Sequence, residues 1–278
     1  MKKSWKFLLT LLLAAACSTV PITGRKQLAL VPDSQLLPLS FSSYRDVLSQ
    51  SKLSTNQVQV QLVKKVGKNI QGAVEAFMTE HNMADELKGY AWEFNLIDDN
   101  TVNAWCMPGG KVAFYSGIMP VCQNEAGVAV VMGHEVAHAI ANHGGERMSQ
   151  GLIQQLGGVA LAVAVKDKPE ETQMLYYTAY AVGSTYGAML PYSRLHESEA
   201  DKLGLVFMAM AGYDPHEAPA FWQRMDKLAG LPPVPEWMST HPSHDTRIEN
   251  LNAYMPTAMK YYKKEQKKND IPVRVIRH

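Results

Sequence analysis

Residues 125–142 constrain this chain more than any other stretch. They form a helix-length run that is apolar on almost every side, yet it carries His134, Glu135 and His138. A helix without a polar face has to sit at the buried centre of a domain. Three titratable groups in such a helix are costly unless they are paired with other groups or bound to a metal. His134 and His138 are four residues apart, so their side chains leave the helix on one side, with Cβ atoms about 5–6 Å apart. Two imidazoles at that spacing suit one zinc ion, with Glu135 beside them as the proton carrier of a peptide-hydrolysing site.

Such a site needs a third protein ligand. A histidine six residues past His138, with a glycine between, would complete one known pattern; the chain has Ala141 and Gly144 at those positions. The alternative is a carboxylate from a later helix. His196-Glu197-Ser198-Glu199-Ala200-Asp201 offers three, and charge and helix context do not choose between Glu197 and Glu199. His143 lies five residues after His138, about 140° around a continuing helix, and is expected to be structural rather than a ligand. His196, His216 and His244 read as surface or structural residues.

The rest of the chain supports one domain. It has 278 residues, 46% hydrophobic and 19% charged, with 27 basic against 26 acidic side chains. That is enough apolar material for a sizeable core, and a net charge of +1 argues against a nucleic-acid partner. Val63, Val66, Ile70, Val74 and Phe77 predict an amphipathic helix from Ser54 to Met78. Trp92, Phe94 and Leu96 alternate, as do parts of 102–107 and 111–115, with turn residues between them. These predict a small antiparallel sheet beside the metal helix. After Asn124, a helix N-cap, the chain reads as helix almost to its end, with a loop at Pro232, Pro233 and Pro235 leading to His241-Pro242. The expected fold is therefore α+β and mainly helical, with the peptidase domain over residues 53–262 and a basic tail over 263–278. No apolar run is read as long enough for a membrane span, and 152–165 is counted as too short.

At the N-terminus, Lys2, Lys3 and Lys6 precede an apolar run from Phe7 to Ala16. This pattern is that of a secretory signal, expected to end at residue 16. The sequence Leu13-Ala14-Ala15-Ala16-Cys17 resembles a bacterial lipobox, which implies lipid on Cys17 and a tether over residues 17–52. Export would place the protein in a bacterial envelope facing the periplasm, on the outer rather than the inner membrane. Cys106 and Cys122 could then pair as a disulfide or stay free.

Taken together, four blocks resemble the zinc endopeptidase family of the HtpX heat-shock protease, the CAAX prenyl endopeptidase and periplasmic lipoprotein proteases. They are Gly133 to His138, Glu197 to Asp201, Asn103-Ala104-Trp105 with Pro108-Gly109-Gly110, and Thr240-His241-Pro242 with Arg247. The resemblance implies a zincin-like fold, with His134, His138 and Glu197 on zinc and Asp201 holding a ligand histidine. It singles out His241 as an oxyanion donor or a plug on the metal, with Arg247 orienting that loop or pairing with a site carboxylate. Trp105, Cys106 and Met107 would offer a sheet edge to an extended polypeptide substrate. A chaperone or binding lipoprotein that keeps the zinc fold but rarely cuts is the rival reading, and intact Glu135 argues against it.

Overall fold

The computed structural model describes residues 17–20, 23–229, 237–238, 241 and 246–269. Residues 1–16, which the sequence reads as a signal, most of the proline-rich loop, His244 and the residues from 270 lie outside the described residues. The elements are β1 (Cys17–Thr19), β2 (Lys26–Leu28), α1 (Asp33–Gln50), α2 (Gln57–Glu80), β3 (Glu93–Ile97), β4 (Ala104–Met107) and β5 (Lys111–Tyr115). They continue with α3 (Glu125–Ile140), α4 (His143–Val165), α5 (Glu170–Ser184), α6 (Leu190–Met210), α7 (Glu217–Ala229) and α8 (Arg247–Asn269). The fold is α+β and mainly helical, as the sequence predicts.

α3 forms the centre. Asn124 caps it, its side chain accepting from the Gly127 backbone N–H at 2.8 Å, which satisfies one of the helix's free donors. All but the first turn of α3 is buried. α6 crosses it at a pair of glycines: a Cβ on Gly133 would lie 2.9 Å from the Gly204 carbonyl oxygen, and one on Gly204 2.9 Å from the His134 nitrogen. Any side chain here would push the two helices apart. This close approach brings Glu197 of α6 to the histidines of α3. α2 covers another side with Val63, Val66, Ile70, Val74 and Phe77, all fully buried.

The three-stranded sheet has the order β3-β5-β4 and is mixed rather than antiparallel. β4 and β5 form the expected antiparallel pair, turned at Gly109 and Gly110, whose φ angles are 83° and 80°. Glycine is needed there for those angles and because a Cβ on Gly110 would strike the Trp92 ring. β3 pairs with the far side of β5, in parallel. The hairpin places β5 in the middle, so the preceding strand meets it running the same way.

The N-terminal region is not a bare tether. β1 and β2 pair antiparallel, and α1 packs on the β4–β5 hairpin. Leu36, Ser40 and Tyr44, four residues apart, make its buried face. The Tyr44 hydroxyl donates to the Val112 carbonyl at 2.8 Å and the Ser40 hydroxyl to that of Pro108 at 2.6 Å. The Ser, Thr, Pro and Gln content of this region hides that four-residue spacing. At the other end, α8 runs through 263–269 as helix, so the basic tail begins later than the composition indicates. Cys106 and Cys122 are free thiols. One described helix, α4, is long and apolar enough to cross a membrane, against the sequence-based count.

Candidate metal centre

His134, His138, Glu197 and His241 place one ligand atom each within 4.8 Å of one another, and all four are buried. The histidine Nε2 atoms stand 3.1 Å apart. Glu197 reaches them with one oxygen each, at 3.3 Å from His134 and 3.4 Å from His138. Two nitrogens and a carboxylate are the donor set that zinc takes.

The partners behind these histidines leave both Nε2 atoms as acceptors. Asp201 lies 2.9 Å from His134 Nδ1, which puts the ring proton on that nitrogen. The Nδ1 of His138 faces the Nδ1 of His143 at 2.8 Å, and His143 Nε2 faces Glu199 at 3.0 Å. Glu199 accepts only, so His143 Nε2–H donates to it. His143 Nδ1 is then an acceptor for the His138 Nδ1–H. Two lone pairs and a carboxylate thus converge in a buried space, an arrangement that repels itself until a cation binds. Such outer hydrogen bonds fix the tautomer and ring orientation of a metal ligand.

His143 therefore has a larger part than a helix-end residue. It is not in the metal group, but it touches a ligand. The 140° estimate assumed a continuous helix. Instead α3 ends at Ile140 and Asn142 adopts φ 51°, which folds His143 back onto His138. His196 is fully buried rather than on the surface. It stacks on His143, with ring centroids 4.2 Å apart, and bonds Glu146 at 2.8 Å.

Sequence reasoning also missed Arg25. From the β1–β2 segment it donates to both Glu146 oxygens, at 3.0 and 2.8 Å, and through Nε to Glu199 at 3.0 Å. Thr23 bonds the other Glu199 oxygen. Burial alone would raise these two carboxyls. The bonds from His196 and Arg25 to Glu146, and from His143, Thr23 and Arg25 to Glu199, win and hold both down at about 2. The clamp is thus complete above the ordinary carboxylate value of 4.5 and fades as pH falls toward 2. Arg25→Gln is expected to weaken zinc retention against a competing chelator by several-fold. That is less than the tenfold to hundredfold typical of a direct outer partner. Unchanged retention would show that the clamp does not reach the metal group.

On the opposite side, Arg247 donates to Asp201 at 2.7 Å and lies 3.4 Å from Glu197. Its guanidinium sits 3.2 Å from the centre of the Trp222 ring, and Trp222 stacks on Trp237 at 4.9 Å. The Trp237 indole N–H donates to Glu135 Oε1 at 2.7 Å. Burial pushes the Glu135 carboxyl up to about 7, against the opposing pull of His134 and this indole bond. A group titrating there can both take and return a proton near neutral pH. His241 Nε2 lies 3.5 Å from the same Glu135 oxygen, and its Nδ1 lies 3.3 Å from the Trp237 carbonyl. Trp105, Cys106 and Met107 lie in β4, an outer strand of its sheet, and are half-buried. Cys17 begins β1.

The comparisons with known proteins agree with this geometry. The model of Peptidase family M48 matches residues 64–255. The Saccharomyces cerevisiae mitochondrial metalloendopeptidase OMA1 is 30% identical over 87% of this chain and 70% of its own length. The human OMA1 metalloendopeptidase is 30% identical over 86% of this chain and 46% of its own. The Escherichia coli β-barrel assembly-enhancing protease is 28% identical over 56% of this chain and 33% of its own. The chain thus spans half or less of the length of the human and bacterial relatives. With a matching model over most of its length and a buried His-His-Glu zinc group, the chain belongs to peptidase family M48.

Proposed function

We propose that this protein is a zinc-dependent endopeptidase that cleaves unfolded or damaged polypeptides at a bacterial envelope membrane, to which lipid on Cys17 attaches it. The observation that carries the reading is the buried convergence of His134, His138 and Glu197 beside Glu135. Zinc held there supplies a Lewis acid that lowers the pKa of water and polarises a peptide carbonyl. Glu135 takes the proton from the attacking water and passes it to the leaving amine. Asp201, through His134, and Glu199, through His143, keep the ligand rings aimed. The β4 edge suits an extended chain of broad sequence, added backbone to backbone. A relative named for enhancing β-barrel assembly supports a role in envelope quality control. Trapping in envelope fractions with Glu135→Gln tests the substrate class; recovery of folded proteins alone would overturn it.

The same site carries its own brake. His241 is the fourth donor of the group, and with Trp237 it lies over Glu135. We infer a resting state in which His241 takes the position a substrate carbonyl or water needs. His241→Ala is then expected to raise basal cleavage of an unfolded protein, with zinc still bound. A fall in kcat of about a hundredfold at full zinc would assign His241 to oxyanion stabilisation instead. No change in either quantity would leave it a packing residue.

A further inference from the structure

We propose that α4, α5 and the start of α6 form a helical hairpin that inserts into the hydrocarbon layer of a bilayer, independently of any lipid on Cys17. The first arm, 148–165, is 18 residues without a charge, and the second, 172–193, is 22. At 1.5 Å per residue these are about 27 and 33 Å long, against about 30 Å for a bilayer's hydrocarbon core. Charges stand only at the ends: Glu146, Arg147 and Arg194 at the base, and the turn Lys166-Asp167-Lys168-Pro169-Glu170-Glu171 at the tip. On insertion, this turn lies at the opposite headgroup layer.

The first arm belongs to a helix apolar enough to cross a membrane; the second is uncharged but carries Thr172, Gln173, Thr178, Ser184 and Thr185 among its apolar residues, and most of both arms is not buried in the protein. Leu156, Val159, Val163, Leu175 and Val182 are all more than half exposed, and α5 has no buried residue. Helices of this composition are stable in a protein core or in lipid, and no core surrounds these. Three polar side chains, Gln154, Tyr180 and Ser184, join the arms, while Gln155, Thr178 and Thr185 face outward. Gln154 Nε2 donates to Ser184 Oγ at 2.8 Å and the Tyr180 hydroxyl to the Gln154 carbonyl at 2.7 Å. Gly157 allows that approach, since a Cβ there would strike the Tyr180 hydroxyl. Small residues at the contact and hydrogen bonds turned inward are how helices associate in lipid.

The placement has a consequence for the site. α4 begins at His143, which touches His138, and Arg194 at the base of the second arm is three residues from Glu197. An inserted hairpin therefore holds the metal group at the bilayer surface, facing polypeptide segments that emerge from the membrane. The proposal does not rest on the peptidase reading; zinc content and casein cleavage, measured in parallel, report on that separately.

The test uses the full chain carrying Cys17→Ser, which cannot be acylated, and vesicles of phosphatidylcholine with phosphatidylglycerol. In about 1 M salt, where surface electrostatics are screened to about 3 Å, the chain is expected to float with the vesicles. Amide exchange in 150–185 is expected to slow when vesicles are added. Leu156→Lys places a charge mid-arm and is expected to lower partitioning about a hundredfold, leaving zinc content and casein cleavage unchanged. A chain that stays in solution, or a variant that floats as well as its parent, would overturn the proposal. So would a concentration-dependent dimer dissolved by Leu156→Lys, with no flotation, which would assign the face to a second copy of the chain.

Discussion

Glu135→Gln is expected to lower kcat for casein cleavage by about a thousandfold while zinc stays bound. The size follows from the typical contribution of a positioned acid–base group, between a hundredfold and ten-thousandfold. Retention of the metal follows from the geometry. Glu135 is not among the four converging donors; its Oε1 is held by the Trp237 indole N–H and faces His241. Glutamine keeps the size and can still accept that indole bond, so the fold and the ligand set are undisturbed. What it loses is the ability to take a proton. Elemental analysis and steady-state cleavage on one preparation check both halves. Near-normal cleavage would remove Glu135 from the mechanism, and loss of zinc would make it part of the ligand set.

The second large effect separates two glutamates two residues apart. Glu197→Ala is expected to strip the metal, because Glu197 spans both histidine nitrogens with its two oxygens. It also faces Arg247, so the variant leaves a buried guanidinium with one carboxylate fewer, a destabilising change in itself. Glu199→Ala is expected to keep zinc but to weaken it by up to about tenfold, the low end for a direct outer partner, since Glu199 acts through His143 on His138. Chelator competition on both variants reads the difference. Equal losses would contradict the assignment, and a larger loss at Glu199 would reverse it.

The helix at the centre was readable because its composition left one choice: no polar face, and therefore burial. The pair His134 and His138 was readable from spacing. Glu197 was not readable from spacing alone, because Glu199 on the same helix had an equal claim; the family resemblance favoured it. Arg25 could not be found, because it meets Glu146 and Glu199 across more than a hundred residues of chain and belongs to a segment whose composition is that of a linker. His143 was misplaced by a single left-handed residue, Asn142, since one positive φ breaks any angular count along a helix. The sheet was read as antiparallel because local turn residues report on the β4–β5 hairpin and nothing local reports which edge of β5 takes β3. The arm α4 exceeds the run 152–165 because the helix begins at His143 and its uncharged stretch at Met148.

One buried zinc group makes this chain a peptidase. The most direct measurement is zinc content and casein cleavage on the same purified sample, before and after removal of metal with a chelator and again after zinc is restored. One zinc ion per chain is expected, bound by the His134, His138 and Glu197 group. Cleavage should vanish with the metal and return with it. Cleavage that persists without metal, or a folded preparation with no zinc that regains no activity when zinc is added, would contradict it.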